Sequence, residues 1–184
     1  MTVADLKQIV LNDTDDSVDG SVLLGWLNRG YEYLQQFIIL PELETTASLT
    51  FTAGLADLPG DFMHFVELTL GDLTYREEIL FEQRNSYTGD GAFYFWGTQI
   101  GIVPATTGTA TLAYVKQAAT MTADSESPKL KTVFQPLIAE YAKGLLREAN
   151  GNSAKAVGHY TNVDNSIERL QGKLARRVRR RSSA

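Results

Sequence analysis

Cysteine is absent from this chain, which removes disulfide frameworks and thiolate metal sites and gives no hint of secretion. No apolar run approaches the roughly 18 residues of a membrane helix. The opening MTVADLKQIV has no basic stretch followed by an apolar core, so a soluble protein made in a cytoplasm is expected. Histidine is scarce as well, with only His64 and His159, far apart in sequence. No phosphate-binding loop, GxSxG or HExxH pattern occurs, and Gly89-Asp90-Gly91 precedes a strand pattern rather than the helix a dinucleotide loop requires. The stretch DDSVDG places Asp15, Ser17, Asp19 and Gly20 like the first half of a calcium loop, but Trp26 stands where the bidentate glutamate belongs. An acidic helix start, with aspartates capping and complementing the dipole, is the simpler explanation. Catalytic, metal and cofactor residues are therefore not expected, nor is an enzyme.

What is present is an ordinary globular composition, 43% hydrophobic and 21% charged over 184 residues. A chain of this length buries roughly 70% of its unfolded surface, enough for one core, with or without a small satellite. Charge is distributed unevenly. Six of the 17 basic groups (Lys173, Arg176, Arg177, Arg179, Arg180 and Arg181) fall in the final stretch KLARRVRRRSSA, which holds no acid. Residues 1–172 thus carry 11 basic against 22 acidic groups, a body at −11 with a strongly basic end.

Hydrophobic periodicity divides the chain into zones. Thr2 and Asp5 form a capping-box pattern before Val3, Leu6, Ile9 and Val10, which predicts a helix of about 10 residues. A second helix is predicted from near Asp19 to Pro41, with Leu23, Leu27, Leu34 and Ile38 in a stripe that Trp26, Tyr33 and Phe37 widen. From Ala47 to about Met121 the period becomes two. Leu49, Phe51 and Ala53 alternate with threonines, and Val66, Leu68 and Leu70 alternate with Glu67 and Thr69. Gly71-Asp72 and Gly97-Thr98 read as two-residue hairpin turns of the II′ kind, and LFEQRNSY as a short helix or an edge connection. About five or six strands in one antiparallel sheet are expected. After the polar loop TADSESPKL the helical period returns, with Pro136 in or near a first turn, and the last helix repeats Tyr160, Val163, Ile167, Leu170 and Leu174.

These zones imply an α+β fold class: a helical bundle from both chain ends, an inserted antiparallel β-sheet domain and a C-terminal extension. Its divisions are 1–45, 46–122, 123–172 and 173–184. One helical core is expected from Val3, Leu6, Leu23, Leu27, Leu34, Val133, Leu137, Tyr141, Val163, Ile167 and Leu170. The strand FYFW, with Phe93 and Phe95 on one face and Tyr94 and Trp96 on the other, fits a covered strand better than a base-stacking platform. No basic residue lies between Arg84 and Lys116 to accompany it.

The arrangement as a whole resembles the head-to-tail adaptor (connector) proteins of tailed bacteriophages. The similarity covers nearly the whole chain, most specifically LPGDF before a hairpin and the succession from MTADSESP to FQPLIAEYAKGLLREANGN. The resemblance implies a structural virion protein of the phage neck, assembled in the host cytoplasm as a ring of twelve copies under the portal protein. Such a ring extends the channel through which genomic DNA passes without specific binding, and offers a docking surface to a tail or nozzle protein. It also implies a portal-docking arm, for which Lys173, Leu174, Arg176, Arg177, Val178, Arg179, Arg180 and Arg181 are the candidates. Glu67, Gly71, Asp72 and Glu77, around the first hairpin turn, are candidates for a subunit or tail interface. The alternative is a nucleic-acid-binding or small regulatory protein that uses the basic tail, with an affinity for DNA that collapses with salt.

Overall fold

A computed structural model describes residues 1–13, 18–38 and 43–181, with 171–181 described as helix only. The chain is α+β and divides into two compact units. Met1–Ile38 with Ala118–Ala184 forms the first, and Ile39–Gln117, which interrupts it in sequence, forms the second.

The first unit holds four helices: α1 (Val3–Asn12), α2 (Gly20–Phe37), α3 (Gln135–Ala149) and α4 (Ser153–Arg181). Each start has a local cause. The Thr2 hydroxyl accepts from Asp5 N–H while the Asp5 carboxylate accepts from Thr2 N–H, closing the expected capping box. Asp19 caps α2 by accepting from Ser21 N–H at 2.8 Å, and these hydrogen bonds with Ser21 hold its carboxyl below the usual range. Pro136 lies in the first turn of α3, where its missing N–H costs nothing. Val3, Leu6, Leu23, Leu27, Leu34, Val163 and Ile167 are buried as expected.

The α3 stripe is offset from expectation. Val133 is 55% exposed and precedes the helix, and Leu137 and Tyr141 are only half-buried, as is Leu170 on α4. The buried face is Phe134, Ile138, Ala139, Ala142 and Leu146. Large residues suggested one line, but the alanines mark where the helix approaches its neighbours most closely. Gly144 lies on the other side of α3, in line with Leu137 and Tyr141, and makes room there for α4: a Cβ on it would lie 2.5 Å from the Tyr160 ring.

The second unit is built from two four-stranded sheets rather than the expected single sheet. β1 (Glu44–Phe51), β8 (Gly108–Lys116), β3 (Phe62–Leu70) and β4 (Leu73–Tyr75) make one, in the order β1-β8-β3-β4. β2 (Leu55–Asp57), β7 (Gln99–Val103), β6 (Ala92–Trp96) and β5 (Glu77–Glu78) make the other, in the order β2-β7-β6-β5. Pairing is antiparallel except between β5 and β6. β1 and β2 are joined by a tight turn, and β4 leads into β5 after one residue, so at both ends of the sheet pair the chain itself turns the corner. The core between them combines Leu49, Phe51, Leu68, Leu112 and Tyr114 of one sheet with Phe93, Ile100 and Ile102 of the other.

Two strand expectations fail for local reasons. Ala53, read as an inward strand residue, sits in the β1–β2 turn with φ +50 and is exposed. Val66, read as buried, is 43% exposed, because the register slips between Phe65 and Glu67 against β8. That bulge turns Phe65 inward, where its ring stacks on Phe93 at 4.1 Å. LFEQRNSY contains a short 3-10 helix, Phe81–Asn85.

Candidate assembly surfaces

The first hairpin has the anticipated geometry. Leu70 pairs with Leu73 across Gly71-Asp72, and Gly71 takes φ +60 while Asp72 does not, as a II′ turn requires. Both turn residues are exposed. Glu67 lies on β3, where Arg76 donates to its carboxylate at 3.3 Å, an ion pair too exposed to add much stability. Glu77 is on β5 and accepts from the Tyr87 hydroxyl at 2.7 Å, which pushes that phenol up. Glu67 and the exposed Val66 thus lie within β3 and Glu77 in the other sheet, each some four or five residues from the turn along the chain.

Beyond them, an aromatic step on β6 was barely foreshadowed by the residue pattern. Phe93 and Tyr94 are both buried, so the strand is covered on two sides through its first half, but Trp96 emerges 52% exposed. Its ring stacks on Phe81 at 3.8 Å, and the Arg84 guanidinium lies 3.7 Å from the Phe81 centroid while donating to Phe81 O at 2.7 Å. Leu80 beside them is 66% exposed.

In the first unit, polar contacts join α1, α3 and α4. Lys143 is 7% exposed, pairs with Asp13, and lies 3.5 Å from Glu140. Glu140 in turn meets His159 Nδ1 at 2.9 Å and Asn162 at 3.4 Å. Burial pushes the Glu140 carboxyl up, but the hydrogen bonds with His159 and Asn162, together with the charges of His159 and Lys143, outweigh it and hold the group below the ordinary glutamate range. Every cation-to-carboxylate link here has a partner within the unit, which is how a helix-joining network behaves. His64 lies on β3, opposite Val115. Among the described residues no cluster of histidine, aspartate and glutamate could hold a metal ion, and the calcium-like positions Asp15 and Ser17 lie outside them.

A more open feature lies between α2 and α4. Tyr33, Phe37, Asp164, Ile167 and Glu168 line a cleft of about 420 Å³. Tyr33 stacks on Tyr141 at 4.8 Å and donates to the Asp164 carboxylate at 2.6 Å. That hydrogen bond, with burial, pushes the Tyr33 phenol up to about 12. Phe37 remains 45% exposed at the rim.

The arginine-rich stretch takes a form the composition did not suggest. An isolated basic tail is expected to be disordered, yet α4 runs unbroken from Ser153 to Arg181. Lys173, Leu174, Arg176, Arg177, Val178, Arg179, Arg180 and Arg181 are therefore all positions of one helix, although their side chains lie outside the described residues, as do residues 182–184. Among the described residues no helix is long and apolar enough to cross a membrane.

The fold thus presents exposed hairpin tips, an aromatic–arginine step and a last helix with a basic end. In the comparison with protein families, the SU10 adaptor protein family matches residues 1–184, and the chain belongs to that family of phage head-to-tail adaptors. No curated protein matches the chain.

Proposed function

We propose that this adaptor assembles as a ring of twelve copies beneath the portal protein in the neck of a tailed phage. There it extends the DNA channel and receives the tail or nozzle protein. The observation that carries the proposal is the family match over the full 184 residues, which leaves no part of the chain outside an adaptor. On this reading the helices from both chain ends act as one bundle. The basic end of α4, residues 173–181, is the portal-docking arm. Arginine suits the role because its planar fork makes paired, charge-assisted bonds with carboxylates and backbone carbonyls. The turn Gly71-Asp72 with Glu67 and Glu77 faces a neighbouring subunit or the tail-side partner. A body at −11 keeps the genome moving, because carboxylates turned to the channel repel phosphate.

Electron microscopy of the neck of the virion tests the proposal. The expected image is a closed ring of this chain between portal and tail, with the C-terminal end of α4 on the portal side. A chain found elsewhere in the particle, or present as isolated copies, contradicts it.

A further inference from the structure

The first unit carries two exposed surfaces of opposite character. One is the cleft between α2 and α4. Its apolar lining comes from the buried Ile167 and the 45% exposed Phe37, and its charged lining from Asp164 and Glu168, one helical turn apart on α4. Glu168 has no hydrogen bond or ion pair among the described residues, and Asp164 takes its hydrogen bond from a neutral phenol rather than a cation. The other surface is the segment leading into α3, where Lys129, Lys131 and Val133 are all exposed, Val133 at 55%. Neither ammonium has a carboxylate partner among the described residues.

The segment is held rigidly. The buried Gln135 side chain donates to Leu130 O at 2.9 Å and to Pro128 O at 3.3 Å, and Lys129 N–H donates to the Tyr31 hydroxyl at 2.8 Å. Tyr31 and Tyr33 stand two residues apart on α2, about 200° around the helix at 3.6 residues per turn. The basic segment is thus anchored on one side of α2, and the acidic cleft opens on the other.

We infer that these surfaces are the two halves of one contact between copies of this chain: Val133 of one copy enters the cleft beside Phe37 of the next, with Lys129 and Lys131 against Asp164 and Glu168. The contact is between unlike surfaces, so each copy keeps one half free and must pass it on; such heterologous contacts close into rings or run on as filaments. Charge complementarity sets the order of the copies, since like surfaces repel. The inference rests on the proposed ring and locates its subunit interface in the helical unit.

Two full-length variants test it, both altered only at exposed charges: Lys129→Glu with Lys131→Glu, and Asp164→Lys with Glu168→Lys. Oligomeric state is read by native mass spectrometry and negative-stain microscopy, and circular dichroism checks that each variant is folded. The wild type is expected to assemble, and each variant alone to stay monomeric, because its two surfaces now carry the same sign. An equimolar mixture is expected to assemble again, since the acidic segment of one fits the basic cleft of the other and the remaining pair is unchanged. Assembly of each folded variant alone, as readily as the wild type, overturns this interface while leaving the ring intact. A mixture that stays monomeric overturns it too, and a wild type that remains monomeric at its highest soluble concentration counts against both the interface and the ring.

Discussion

Glu140 is the half-buried one among the carboxylates through which the helical unit responds to acid, Asp5, Asp13, Asp19 and Glu126 also being held below their ordinary range. Its folded-state carboxyl lies below the ordinary glutamate value of 4.5, so the unfolded chain binds the proton more readily. The stability it contributes is complete above pH 4.5 and is lost as pH falls through the lower, folded value. Glu140→Gln removes its share of this dependence and weakens the link to Lys143 and His159, at a cost of about 1.5 kcal/mol at neutral pH, the lower end for hydrogen bonds to a charged group. Thermal melts from about pH 3 to 7 check it: the acid-side loss of stability should be shallower in the variant than in the wild type. Spacing along the chain reports only Lys143, three residues on in the same helix; His159 and Asn162 reach Glu140 from another helix, and spacing does not report such meetings. The capping box at Thr2 and Asp5 was legible for the opposite reason: all its partners lie within three residues.

Among the elements, α3 separates what periodicity reveals from what it hides. Its length, its proline in the first turn and its amphipathic character could all be read from FQPLIAEYAKGLLREANGN. Its facing could not, since Leu137 and Ile138 fit a stripe equally well and only the small residues Ala139 and Ala142 decide which side is buried most deeply against the neighbouring helices. The two assignments predict different stabilities. Ile138→Ala deletes a side chain with no exposure and should cost about 2 to 5 kcal/mol. Leu137→Ala, at a half-buried site, should cost clearly less, and Val133→Ala should stay within about 0.5 kcal/mol. Urea melts of the three variants read the order directly. Equal losses at 137 and 138 would mean that the helix is rotated from its described position. In the second unit the turns at Gly71 and Gly97 were legible because a two-residue hairpin needs a positive φ at its first position, and both glycines supply it. The split into two sheets was not, because β1 and β2 lie next to each other in sequence yet sit in different sheets, a change of direction carried by Ala53 and Gly54 at positive φ rather than by any break in hydrophobicity.

For the molecule as a whole, an acidic body and a basic end occur in one protein whose last helix joins them without interruption. A continuous helix, unlike a flexible tail, loses little backbone freedom on docking, so a modest number of charge-assisted bonds can suffice for specific attachment. The helical core reaches Ile167 and half-covers Leu170, so removing residues 173–184 should spare the fold. If those residues attach the adaptor to the portal, the quantity to measure is the affinity of the full-length chain and of a chain ending at Gly172 for the isolated portal. Duplex DNA of mixed sequence serves as the control ligand, at several salt concentrations. The shortened chain should melt like the full-length one but no longer bind the portal, while neither chain is retained on DNA at physiological salt. Undiminished portal binding by the shortened chain would contradict the docking arm, as would salt-sensitive DNA binding that the truncation abolishes.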